Sequence, residues 1–152
     1  MELELKRNNI YLIKGDNESG KTTLFNIISG IYQSESEITI DGKKYNSFNA
    51  LKNICYYVTS DLFLVEDDVV LSSGQKRLKQ LEEVINRKEL VLIFDEPINY
   101  LDKSKIKDFI ELIDRIKKDR IILISSHIDI NLEGAISIKM IKVNESKQTF
   151  LD

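Results

Sequence analysis

A chain of 152 residues, 42% apolar and 31% charged, is long enough to bury one core without staples, and its net charge of −3 leaves no basic excess for coating a nucleic acid. The single cysteine, Cys55, excludes an internal disulfide and, set in an apolar run, reads as a buried free thiol suited to a reducing cytosol. The charged opening MELELKRNN argues against a signal peptide, and runs such as LVLIF and IILI are too short to cross a bilayer, so the expected location is cytoplasmic, with any attachment to the inner membrane face made through a partner.

Short apolar runs recur along the chain, and helical patterns lie between several of them. Ile10 to Ile13 leads into a glycine-flanked loop. A helix follows with Leu24, Ile27 and Ile28 on one face, closed by Gly30 at its C′ position. Strands are expected at Ile38 to Ile40 and at Ile54 to Val58. A helix carrying Leu78, Leu81 and Ile85 on one face comes next, then a strand at Leu90 to Phe94. A third helix presents Ile106, Phe109, Ile110 and Ile113, and strands at Ile121 to Ile124 and Ala135 to Ile138 complete the series. Ile- and Val-rich runs without alternation suit strands buried on both faces, so the chain reads as one α/β domain, residues 1–152, around a mostly parallel sheet flanked by helices. Ligands of such sheets sit at the carboxyl ends of strands, which directs attention to the loops after Ile13, Phe94 and Ile124.

The first loop, Gly15-Asp16-Asn17-Glu18-Ser19-Gly20-Lys21-Thr22, fits G-x-x-x-x-G-K-[ST] in full. Its backbone N–H groups and the following helix end would cradle the phosphates of a nucleoside triphosphate. Lys21 would reach the β- and γ-phosphates, Thr22 would ligate Mg²⁺, and Thr23 would contact the α-phosphate. The second loop opens with Asp95-Glu96 at the end of an all-apolar strand, where two carboxylates need a cation. Asp95 is a Mg²⁺ ligand candidate and Glu96 a general base for the attacking water. The third holds His127, the only histidine, placed for a hydrogen bond to the γ-phosphate or that water. A lone histidine is more often structural, and that reading stands beside the functional one.

With those elements in this order, the chain resembles the ATP-binding-cassette (ABC) ATPases over roughly Asn9 to Met140. Leu71-Ser72-Ser73-Gly74-Gln75 is similar to the family's LSGGQ signature, with Ser73 in place of the first glycine. Asn99-Tyr100-Leu101-Asp102 resembles its D-loop, and Asp41-Gly42 the turn after an early strand. The resemblance implies a P-loop NTPase fold with ATP and Mg²⁺ as cofactors. It also implies head-to-tail pairing with a second ABC subunit, in which Ser72, Ser73, Gly74 and Gln75 of one subunit face the other's ATP. Ser72 or Ser73 would equally serve as a plain N-cap.

The chain departs from the family pattern in three places. Ser60 stands where the family carries a Gln near the metal, and so becomes a candidate Mg²⁺ ligand of shorter reach. Only Asp61 to Val70 separate that position from the signature, so the helical subdomain is expected to be largely missing. The antiparallel N-terminal strands, and the aromatic that stacks on adenine, are likewise expected to be largely missing, and Tyr11 lies too near Gly15 to replace that aromatic. The resemblance implies an ATPase component working with a separate membrane permease. The alternatives are a soluble ABC ATPase that clamps another macromolecule and a non-catalytic, nucleotide-dependent partner in a heterodimer. The acidic run Glu66-Asp67-Asp68 argues against nucleic acid.

Overall fold

The computed structural model describes residues 2–16, 20–31, 37–45, 48–61, 71–143 and 147–151. The link from Ser60 to the signature and the cradle residues Asn17, Glu18 and Ser19 therefore fall wholly or largely outside the described residues. In chain order the elements are β1 (Glu2–Leu5), β2 (Asn9–Lys14), α1 (Lys21–Ile28), β3 (Glu37–Ile40), β4 (Lys43–Tyr45), α2 (Phe48–Ile54), β5 (Cys55–Val58), α3 (Ser73–Glu82), β6 (Val91–Phe94), α4 (Lys103–Ile116), β7 (Ile121–Ser126), β8 (Ile136–Val143) and β9 (Lys147–Leu151).

The main sheet has the order β5-β6-β7-β2-β8-β9, and every neighbouring pair is parallel except β8–β9. Each central strand buries both faces, which is why its sequence lacks alternation. In β6, Leu92 and Phe94 join Phe109 and Ile113 of α4 on one side, while Val91 and Ile93 join Leu24, Phe25 and Ile28 of α1 on the other. Because β6, β7 and β2 are neighbours, the three loops singled out by the sequence emerge side by side. The end of β5 lies one strand further out.

Four elements carry no strong sequence signal: β1, β4, α2 and β9. β1, β3 and β4 form a second, three-stranded sheet in which β1–β3 is parallel and β3–β4 antiparallel. Thus a small mixed sheet accompanies the cradle where antiparallel strands were expected to be largely missing. Its cause is the alternation in ELEL, which buries Leu5 against Ile38 and Ile40. Asp41 (φ 50°) and Gly42 (φ 81°) make the two-residue turn between β3 and β4, both in the left-handed region that such a tight hairpin demands.

The expected face of the signature helix needs one correction. Leu81 is buried, but Ile85 is 40% exposed and Val84 is buried in its place. The chain tightens from α-helix to a 3₁₀ turn at Glu83–Asn86, and the smaller number of residues per turn rotates Ile85 outward. Among the described residues no helix is long and apolar enough to cross a membrane.

Candidate functional site

Gly20 starts α1 in the left-handed region (φ 90°) and, having no side chain, leaves the helix's first N–H groups without a side-chain cap. α3 and α4, by contrast, begin at the capping side chains Ser72 and Asp102. The bare positive end of α1 thus suits an anionic ligand. Lys21, only 4% exposed, folds back over the loop. Its ammonium donates to the carbonyl of Gly15 and lies 3.0 Å from Glu96 Oε1.

Asp95, 1% exposed, is held by three hydroxyls. Thr22 Oγ1 (2.8 Å) and the Tyr57 phenol (2.9 Å) donate to Oδ2, and Ser125 Oγ (2.7 Å) donates to Oδ1. Tyr57 reaches it from β5, with its ring packed edge-on against Phe25 at 6.1 Å. A carboxylate and a hydroxyl already in contact make a hard-oxygen donor set that fits Mg²⁺. Thr22 and Asp95, the predicted ligands, therefore meet. Ser60 is half-buried at the end of β5, at the same edge of the sheet.

Glu96 sits in the left-handed region (φ 48°), an uncommon backbone for a residue with a Cβ. Ser125 Oγ accepts from its N–H at 2.8 Å. Its Oε2 accepts from the His127 N–H (3.3 Å) and lies 2.8 Å from His127 Nδ1. Oε1 has no aligned hydrogen bond, so the Lys21 contact is a charge contact. Burial pushes the Glu96 carboxyl up, but Lys21 and His127 together outweigh it and hold the group below the ordinary glutamate value. Lys21, Thr22, Asp95, Glu96 and His127 thus form one connected cluster. Thr23 is exposed on α1, and Asp16 is exposed in the cradle.

The signature segment begins with a capping box. Ser72 Oγ accepts from Gln75 N (3.2 Å), and Gln75 Oε1 accepts from Ser72 N (2.9 Å). The N-cap reading of Ser72 is therefore correct, while Ser73 is the first helical residue. Ser72, Ser73 and Gln75 remain exposed. Gly74 is buried, and a Cβ there would lie 2.7 Å from the Tyr100 carbonyl. Small size at Gly74 is thus required within the chain itself.

Three participants lacked a recognised sequence signal: Tyr57, Ser125 and Arg77. Arg77 is 0% exposed, although the run SGQKRLKQ reads as a basic-faced helix. Its position one turn before Leu81 is the cue that it shares the buried face. Burial pulls its guanidinium down, partly offset by Asp95.

A family model described as ABC transporter matches residues 1–70. The chain is 27% identical over 191 aligned positions to the cytochrome c biogenesis ATP-binding export protein CcmA of Reclinomonas americana, covering 98% of this chain and 86% of that protein. It is 26% identical to the energy-coupling factor transporter ATP-binding protein EcfA1 of Thermotoga maritima, covering 76% of this chain but less than two thirds, 61%, of that relative. Among solved structures, the dimeric post-hydrolysis state of the ATP-binding cassette MJ0796 bound to ADP and Pi superposes with a TM-score of 0.71 at 18% identity. That match covers 89% of this chain and 82% of MJ0796, and the likeness is one of fold.

Proposed function

We propose that this chain is an ABC-type ATPase, an ATP-hydrolysing subunit that pairs around two ATP molecules and drives a separate integral-membrane permease. The observation that carries this reading is the convergence of Lys21, Thr22, Asp95, Glu96 and His127 from three loops into one cluster. Relatives named as transporter ATP-binding proteins support the transport role. In this reading residues 1–152 act as one cassette.

The cradle from Gly15 to Thr22 and the N–H groups of α1 would receive the phosphates, with Thr23 beside them. Thr22 and Asp95 would hold Mg²⁺, with Ser60 as a further oxygen at the same edge. Bound Mg-ATP supplies the electrophilic phosphorus and the charge neutralisation on its leaving oxygens. On binding, Lys21 would exchange Glu96 for phosphate oxygens. Glu96 is thereby released as a base, and His127 keeps its carboxylate oriented toward the attacking water. Ser72, Ser73, Gly74 and Gln75 would face the ATP of the second subunit, with the exposed hydroxyls as donors.

Two measurements test this together. Hydrolysis at low concentration should rise more steeply than linearly with protein and vanish in Lys21→Ala. Glu96→Gln mixed with Mg-ATP should double in mass by light scattering. Hydrolysis linear in protein, with no dimer of Glu96→Gln, would overturn the paired-site reading.

A further inference from the structure

One buried cation has no part in the chemistry above. The Arg77 guanidinium has five N–H groups, and each has an oxygen in reach. Nη2 points at the carbonyls of Asp95 (3.1 Å) and Glu96 (3.4 Å), and Nε at that of Pro97 (3.4 Å). Nη1 donates to the Thr59 carbonyl and to Gln80 Oε1, both at 2.9 Å. Gln80 in turn donates to the Asp61 carbonyl at 3.1 Å. A single side chain of α3 thereby binds three consecutive carbonyls of the Asp95–Pro97 turn and the backbone leaving β5.

Every one of those partners is a neutral oxygen. Burying a charge without a carboxylate in contact is costly, and an apolar side chain of similar volume would commonly serve stability as well or better. What an apolar side chain cannot supply is a planar fork that fixes successive carbonyls. Those carbonyls flank Glu96, whose left-handed backbone persists only where its surroundings over-determine it. α3 also begins at the exposed Ser72, about one and a half turns before Arg77 on the same helix.

We propose that Arg77 is a positioning residue for the reaction: it ties the Glu96 turn to the seat of α3, so that the pose of the base follows the pose of the signature. This rests on Glu96 being the base, as argued above. A second subunit engaging Ser72 and Gln75 then bears on this chain's own Glu96 as well as on the ATP it faces.

The test compares wild type, Arg77→Lys and Arg77→Met by amide hydrogen exchange and by steady-state hydrolysis. Both variants should speed exchange of the Glu96 and Asn99 amides by about tenfold or more while β6 and β7 stay protected. kcat should fall about a hundredfold in Arg77→Met, with KM changed less than about threefold and Arg77→Lys falling in between, as expected for a misplaced group rather than lost binding. If Arg77→Met fails to fold, Arg77→Lys carries both measurements. Wild-type kcat with unchanged exchange, or exchange raised uniformly across the sheet, would overturn the proposal. Local loosening of the turn in a protein whose wild type shows no Lys21-dependent hydrolysis would instead sink the catalytic reading and leave the anchoring in place.

Discussion

Lys21 and Glu96 hold each other in a contact that the proposed function requires to break. The 3.0 Å contact neutralises two largely buried charges, but a triphosphate would offer Lys21 stronger partners. The Glu96 carboxyl is the sensitive reporter, because burial raises it while Lys21 and His127 lower it further. In Lys21→Ala the ammonium is lost and burial remains, so Glu96 should titrate higher than in wild type, measurable by carboxylate-detected NMR. The sign of the stability effect follows. Since the folded value is depressed, the stabilisation is fully present above the ordinary glutamate pKa of 4.5 and is lost as pH falls through the folded value. The stability gap between wild type and Lys21→Ala should therefore be full at neutral pH and shrink on acidification below about pH 4.5. A gap that widens on acidification would show that Lys21 does not hold the carboxylate in its charged form.

At the scale of elements, α3 is docked by its own first turn. A Cβ on Gly74 would press on the Tyr100 carbonyl, a backbone atom in a segment with its own left-handed residue (Tyr100, φ 72°). Gly74→Ala should cost about 1–3 kcal/mol, and Ser72→Ala about 1 kcal/mol through loss of the capping box. In a chain of this size each kcal/mol lowers Tm by about 2–4 °C. Both losses should appear in nucleotide-free protein by calorimetry. An unchanged Tm for Gly74→Ala would mean that the glycine serves only approach by another subunit. This intrachain role of Gly74 was not legible in the sequence, where the family resemblance implies only that it faces a partner subunit's ATP. The local pattern specified the start of α1 at Gly20-Lys21 and the Asp95-Glu96 strand end, and left the capping serine open between Ser72 and Ser73. What it did not specify came from tertiary contact. Arg77 looks like a surface cation until Leu81 and Val84 show which face is inward. Tyr57 gives no sign in the sequence that its phenol crosses to Asp95. Ile85 follows helical spacing that a 3₁₀ turn then breaks. β1 is too short and acidic to stand out until Ile38 and Ile40 pair with it.

The order of the whole sheet sets what the molecule can recognise. Parallel neighbours β6, β7 and β2 bring their carboxyl ends to one rim, and the polar groups gathered there are suited to phosphates and a hard cation. Among the described residues nothing comparable is assembled for a base. Tyr11, the aromatic nearest the cradle in sequence, is 5% exposed, and its hydroxyl accepts from Lys6 N (2.8 Å) and Asn9 Nδ2 (3.4 Å), so it is committed to the core. Affinity should then come from the triphosphate, and the two purine nucleotides should be nearly equivalent. At a hundredfold excess over Kd a ligand stabilises the fold by about 2.7 kcal/mol, equivalent to a Tm rise of about 5–10 °C here. Mg-ATP and Mg-GTP at equal concentration should raise Tm to within about 2 °C of each other by that scale, and both shifts should disappear in Lys21→Ala. A full shift with ATP and none with GTP would mean that the chain supplies a base-reading contact, and would place the origin of selectivity outside the phosphate cradle.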